Sequence, residues 1–271
     1  MATFNKIAII GGGNLGSSIA KGILSLKDIS NENLVICEKR KQRIGYLIEA
    51  GFNTIDSDIK KASDDAELII ISVKPQQFTS VLEELKPNLK PKQIIISTVT
   101  GVSLSEISII IGKRPLIRIM PNTAIEIRES MTCICFNNTS KEQEEKTIAL
   151  FDQLGKTITL PEEQLDAVTV LGACGIAFAL RFVRAATQGG IEIGFSAEVS
   201  EFIVSQTVKG AAQLLHENNS HPEAEIDKVT TPQGITISGL NEMEHQGFSS
   251  SVIKGLITSY NKLIRLEKNN K

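Results

Sequence analysis

Lys6-Ile-Ala-Ile-Ile10 runs straight into Gly11-Gly-Gly13-Asn-Leu-Gly16, and an amphipathic stretch, Leu15–Leu26, follows. A wholly apolar strand, a glycine turn and a helix in that order leave few folds open. A strand that is apolar at successive positions is buried on both faces, as in a parallel sheet covered by helices on either side. In G-x-G-x-x-G the first glycine permits the tight turn and the second lets the backbone approach a pyrophosphate. The third lets the helix pack against the strand. Free N–H groups at the helix start then meet the phosphates. This places a dinucleotide on Gly11, Gly12, Gly13, Asn14, Leu15 and Gly16.

The same alternation continues. Strands are expected at Lys6–Ile10, Leu34–Glu38, Leu68–Val73, Gln93–Thr98, Leu116–Met120 and Thr132–Phe136, with Lys41–Glu49 as a second helix. Strand, helix, strand in repetition implies a doubly wound, mostly parallel α/β domain. The character changes near Leu160-Pro161, after which only helical patterns remain: Glu162–Gly190, Ala197–Glu217 and Ser249–Arg265. The expected division is residues 1–160 for the dinucleotide and 161–271 for an all-α domain. The first long helix is apolar nearly all round (Val168, Leu171, Ile176, Phe178, Leu180, Val183), so it belongs in a core or at a subunit interface, and dimerisation is expected.

The second strand ends at Glu38, where a carboxylate accepts from the ribose hydroxyls of NAD. Lys39-Arg40-Lys41 follows at once and suits the 2′-phosphate of NADP equally well, so NAD and NADP both stay open. Composition narrows the partners. Charged residues are 22% and the net charge is −2, which predicts no nucleic-acid or membrane surface. Met1–Lys6 leads into a strand with no secretory leader expected. The uncharged stretch Ala167–Leu180 reads as a buried helix too short to span a bilayer. Cys37, Cys133, Cys135 and Cys174 read as reduced thiols of a cytoplasmic protein. Cys133-x-Cys135 has no second ligand pair, so no metal is expected. His216, His221 and His245 sit in no nucleophile motif.

Further motifs follow in order: Val73-Lys74-Pro75-Gln76, Ile95-Ile-Ser97-Thr-Val-Thr-Gly101, Arg118-Ile-Met120-Pro121-Asn122-Thr123, Leu165-Asp-Ala-Val-Thr169, Gln206-Thr-Val-Lys-Gly210, Lys228-Val-Thr-Thr231-Pro232-Gln233-Gly234-Ile235-Thr236-Ile237 and Gly247-Phe248. With the glycine loop, these resemble the pyrroline-5-carboxylate reductase family over almost the whole chain. The resemblance implies a Rossmann domain followed by a helical dimerisation domain, with the active site built at the dimer interface. It implies NAD(P)H-dependent reduction of (S)-1-pyrroline-5-carboxylate to L-proline. The cofactor would lie on the glycine loop, on Val73, Lys74 and Pro75, and on Thr98, Val99 and Thr100. Thr231, Gly234 and Ile235 would hold the substrate carboxylate, and the Thr236 hydroxyl would face the imine nitrogen. Glu162 is a further substrate contact by the same resemblance. The residues themselves leave a plainer role for Thr236, as the N-cap of a helix starting near Ile237.

The chain departs from the family in two places. Gly172-Ala-Cys-Gly175-Ile176-Ala177-Phe178 lacks the family's proline and tyrosine. Gln233 stands at a glycine position, where a side chain opposes a positive φ. Two other functions share parts of this pattern: reduction of a related cyclic imine, and a non-catalytic nucleotide-binding scaffold. A 3-hydroxyacid dehydrogenase would need a lysine where Ala179 stands.

Overall fold

The computed structural model describes residues 4–269. One sheet holds eight strands: β1 (Ile7–Ile10), β2 (Leu34–Cys37), β3 (Ile55–Asp56), β4 (Leu68–Ile71), β5 (Ile94–Ser97), β6 (Leu116–Met120), β7 (Ser130–Asn137) and β8 (Gly155–Thr159). Their order is β3-β2-β1-β4-β5-β6-β7-β8. Neighbours are parallel throughout, except that β6 and β7 are antiparallel. The six strands expected from the sequence are all present, and β3 and β8 are additional. The winding reverses between β1 and β4, and ligands of open α/β sheets bind beyond the carboxyl ends of the strands at such a switch point.

Strand residues alternate between two apolar cores, which is why the strands read as continuous apolar runs. Ile7, Ile9, Ile36 and Ile70 face Ile19 and Ile23 of α1 (Asn14–Leu24), Leu47 of α2 (Lys41–Glu49), and Leu150 and Phe151 of helix Lys141–Asp152. Ala8, Ile10, Val35 and Ile69 face the other way. They meet Ile59 of α3 (Ile59–Ser63), Phe78 and Leu82 of α4 (Pro75–Leu85), and Leu104 and Ile107 of α5 (Leu104–Ile111). Helix Lys141–Asp152 is α6. The helical half comprises α7 (Leu165–Val168), a π-helical turn at Thr169–Cys174, α8 (Gly175–Glu192), α9 (Ala197–Asn218), α10 (Pro222–Val229), α11 (Ile235–His245) and α12 (Phe248–Asn269).

The chain divides into two compact units, 4–174 with 262–269, and 175–261. The first unit therefore runs past the boundary expected at 160. The second is tied together by polar and edge contacts. Ser200 Oγ donates to the Thr187 carbonyl at 2.8 Å, joining α9 to α8. Phe182 meets the Phe248 ring edge-on at 6.2 Å. Thr187 and Ser200 are the buried side chains of this unit among the described residues, and no buried apolar side chain lies within it. Among the described residues, exposed large apolar side chains are concentrated between Leu171 and Tyr260; before them come Tyr46, Ile48, Ile109, Ile127 and Ile158. The helix read as buried is thus mostly uncovered within one chain. Its whole length, Glu162–Glu192, is also sufficient by length and composition alone to cross a membrane, which the shorter uncharged stretch is not.

Candidate cofactor and substrate sites

The glycine loop sits at the switch point, between β1 and α1. Gly11 has φ +109°, and a Cβ there would lie 2.3 Å from the Ser72 carbonyl oxygen. Its N–H donates to the Cys37 carbonyl at 2.9 Å, which ties the loop to the end of β2. Gly13 is the N-cap of α1, and no side chain caps the helix. A Cβ on Gly13 would enter open space. An uncapped helix start beside an open cradle fits a pyrophosphate, because the first N–H groups of a helix have no partners of their own. Asn14 and Leu15 form the first turn.

Glu38 follows β2 and is buried at 6% exposure. Its Oε1 accepts from the Arg40 backbone N–H and Nε, both at 3.0 Å, and its Oε2 accepts from Arg40 Nη2 at 2.8 Å. Burial pushes the Glu38 carboxyl up, but the hydrogen bonds and charge of Arg40, with the Gly12 backbone, outweigh it and hold the carboxyl below its usual range. Lys39 reaches the other way, to Glu84 at 2.8 Å. These four residues line a cleft of about 170 Å³ with Gly11, Val73 and Gln77.

Arg43, on α2, gave no signal in the sequence. Its Nε donates to the Gly12 carbonyl and its Nη2 to Ser17 Oγ at 2.9 Å, while the guanidinium stacks 4.2 Å from the Tyr46 ring centre. It fixes the glycine loop from outside. Val73, Lys74 and Pro75 open α4, with exposed Lys74 as N-cap and Pro75 in the first turn. Thr98 and Val99 are buried: the Thr98 hydroxyl donates to the Ile71 carbonyl at 3.2 Å, and the Val99 N–H donates to Ser97 Oγ at 3.2 Å. Thr100 is half-buried. The structure therefore brings the glycine loop, Glu38–Arg40 and Val73 to one cleft, with Lys74 and Pro75 beside it, and holds the Thr98 loop to β4.

Glu162 has protein partners. Its Oε1 accepts from the Leu104 N–H at 2.7 Å and from Arg118 Nη1 at 3.2 Å. Arg118 is buried in the middle of β6 and also reaches Asp166 Oδ1 at 3.2 Å, while its Nε has no partner. Asn122 Nδ2 donates to the Gly172 carbonyl at 3.2 Å, within the π-helical turn.

In the second unit, Thr231–Thr236 forms a tight turn into α11. The Gly234 N–H donates to the Thr231 carbonyl at 2.8 Å, and a Cβ on Gly234 would lie 2.5 Å from Thr231 Oγ1. Gln233 takes φ +59° despite its side chain, so the substitution leaves the left-handed turn in place. Gly234 is the N-cap of α11 and no side chain caps it. Ile235 is 94% exposed and Thr236 is also exposed. Thr236 is inside the first turn, so the expectation that it caps a helix from Ile237 is corrected. The result is an exposed helix start without a side-chain cap, suited to a carboxylate.

Two family models match: pyrroline-5-carboxylate reductase dimerisation over residues 162–266, and NADP oxidoreductase coenzyme F420-dependent over residues 6–101. Pyrroline-5-carboxylate reductase 1 of Dictyostelium discoideum is 44% identical over 97% of this chain, which spans 50% of that relative's length. Pyrroline-5-carboxylate reductase 2 of the same organism is 42% identical over 95% of this chain and 91% of its own. The chain belongs to the pyrroline-5-carboxylate reductase family. As a member of that family it is an NAD(P)H-dependent oxidoreductase. The crystal structure of Plasmodium falciparum pyrroline carboxylate reductase with NADP bound is 25% identical. It superposes with a TM-score of 0.87 over 95% of this chain and 96% of that one. The dimerisation match covers the uncovered helices, so self-association accounts for their apolar faces. Among the described residues, no group of three His, Cys, Asp or Glu side chains is placed to hold a metal. Cys133 and Cys135 are buried strand residues whose thiols burial pushes up, Cys135 to about 12.

Proposed function

We propose that this reductase converts (S)-1-pyrroline-5-carboxylate to L-proline with residues 1–160 holding NADH or NADPH and 161–271 holding the substrate. The observation that carries the reading is the start of α11, which no side chain caps and which the Gly234–Thr231 turn leaves exposed at Ile235 and Thr236. The substrate has one carboxylate and one ring nitrogen. The N–H groups of Ile235, Thr236 and Ile237 hold the carboxylate, since a helix start favours an anion and the exposed turn leaves room for it. The reduced nicotinamide supplies the hydride to the carbon of the C=N bond when bound. The nitrogen carries a proton as the bond is reduced, because an iminium accepts hydride far more readily than a neutral imine. The Thr236 hydroxyl orients that nitrogen and needs no titration of its own, so the chemistry requires no histidine or lysine base.

Glu162 fits the substrate role less well than the rest, since Leu104 and Arg118 already occupy one of its oxygens. Work in the cytoplasm and freedom from membranes belong to the same reading, supported by the kinship with metabolic reductases and by a dimerisation match over the long apolar helix. The test is turnover of the imine with each cofactor, reading proline and nicotinamide oxidation together. Cofactor binding without proline formation would leave a nucleotide-binding scaffold; turnover of another cyclic imine in preference would move the substrate assignment.

A further inference from the structure

Among the described residues, Arg43 makes no ion pair with a carboxylate, and its donors go to the glycine loop instead. Its Nε donates to the Gly12 carbonyl, and its Nη2 donates to Ser17 Oγ at 2.9 Å. The Tyr46 ring backs the guanidinium at 4.2 Å. Ser17 is buried, and its hydroxyl donates in turn to the Asn14 carbonyl at 3.1 Å. One planar fork thus grips a residue on either side of Gly13. A fixed fork holds two acceptors at once, which a lysine ammonium does less well. The loop lies close against α2 at this point, since a Cβ on Gly12 would stand 2.7 Å from Leu47 Cδ1.

The Gly12 carbonyl and the Gly13 N–H belong to one peptide. A trans peptide is planar, so the two point in opposite directions. Holding the carbonyl against Arg43 turns the Gly13 N–H away from that side chain, and this N–H has no partner among the described residues. Glycine stands on both sides of the peptide, and glycine backbone moves readily between positive and negative φ. Turned over, the same peptide would present a carbonyl oxygen where the N–H now stands, and an oxygen repels a phosphate. Resting on the cofactor site proposed above, we infer that Arg43 is a positioning residue for the dinucleotide: its grip on the Gly12 carbonyl keeps the Gly13 N–H toward the pyrophosphate. The pyrophosphate is common to NADH and NADPH. Arg43 therefore sets the affinity for both and does not choose between them.

The experiment is equilibrium titration of the full-length protein with NADPH and with NADH, read by emission of the reduced nicotinamide, with a melting curve for each variant. Arg43→Met keeps an apolar stem against Tyr46 and removes the fork. It should weaken both cofactors by the same factor, roughly 10–100-fold, the worth of a charge-assisted hydrogen bond. In turnover, KM for the cofactor should rise by that factor while kcat at saturating cofactor changes by less than about 2-fold. Arg43→Lys restores the charge without the fork and should recover only part of the affinity. Ser17→Ala frees one end of the grip and should weaken both cofactors by roughly 2–5-fold. The inference fails if Arg43→Met leaves both affinities unchanged, whatever its melting temperature, or if it weakens NADPH alone, which would make Arg43 a phosphate ligand. It fails equally if Arg43→Lys binds as the wild type does, which would reduce Arg43 to a charge acting at a distance. Should Arg43→Met not fold, Arg43→Lys decides by the same criterion. Wild-type protein that binds neither cofactor would instead overturn the cofactor site, and the inference with it, before any variant is compared.

Discussion

Gly16 lies so close to Gly11 that a Cβ on Gly16 would stand 2.0 Å from the Gly11 carbonyl oxygen. The third glycine of the motif is thus a contact between the first turn of α1 and the loop that precedes it. Gly13, three residues earlier, faces open space. The two positions separate folding from binding. Gly16→Ala must push α1 off the loop and should lower stability by about 1–3 kcal/mol, the usual range for overpacking. Gly13→Val should melt near the wild type but lose cofactor affinity severely, because its side chain enters the pyrophosphate cradle. Melting curves and cofactor titrations on both variants check this; normal cofactor affinity in Gly13→Val would place the dinucleotide elsewhere.

Thr236→Val removes the hydroxyl and keeps the β-branch. Since Gly234 is the N-cap and Thr236 is exposed, the melting temperature should not move. Both kcat and kcat/KM should fall roughly 2–13-fold, the worth of one neutral hydrogen bond that strengthens in the transition state. An unchanged kcat would remove Thr236 from the reaction.

Glu162 and Arg118 can be told apart from substrate contacts in the same way. Arg118→Met leaves two carboxylates without their shared cation. Both keep some exposure, 26% and 21% for Glu162 and Asp166, so the loss should be about 1–3 kcal/mol, below that of a wholly buried pair. Glu162→Gln should lower the melting temperature and leave KM for the imine unchanged. A raised KM at normal stability would make Glu162 a substrate ligand.

Acid should loosen the β2 end of the cleft. The Glu38 carboxyl is held below its usual value once burial is outweighed by the Arg40 bonds. A depressed carboxyl contributes stability that is present above its unfolded value, about 4.3, and is lost as pH falls through the folded one. Glu38→Gln should therefore flatten the melting-temperature profile on the acid side and leave the alkaline side alone. The thiols follow the opposite logic: burial pushes Cys37 and Cys135 up to about 12, so both should resist alkylation at pH 8 while the protein is folded.

Much of this was legible because the signals are local. The glycine loop and the two-faced strands each write their geometry into neighbouring residues, whereas the Thr231–Thr236 turn keeps its left-handed residue at Gln233 against what that side chain suggests. β3 was not legible, since Ile55–Asp56 is two residues long at a sheet edge. Nor was β8, where Gly155–Thr159 carries Lys156 and is mostly exposed. Arg43 meets the glycine loop only because α2 returns beside it, 31 residues along the chain. The Arg118 network is less visible still: a charged residue inside an apolar strand names no partner until Glu162, in the turn before α7, and Asp166, on α7, meet it.

Assembly can be read from Phe202, 74% exposed on α9. If the helical unit is covered by a second copy, Phe202→Asp should shift sedimentation toward the monomer and abolish turnover, with cofactor binding retained by the first unit. An active monomer would sink the dimeric reading.

The want of a buried apolar side chain in residues 175–261 also fixes the kinetic order of maturation. Residues 4–174 close both faces of their sheet with contacts inside one chain, a first-order event. The apolar faces beyond them are covered only on meeting another chain, a second-order event whose half-time shortens as concentration rises. Refolding from denaturant should therefore regain cofactor binding before turnover, with a lag between the two that contracts in proportion to the amount of protein present.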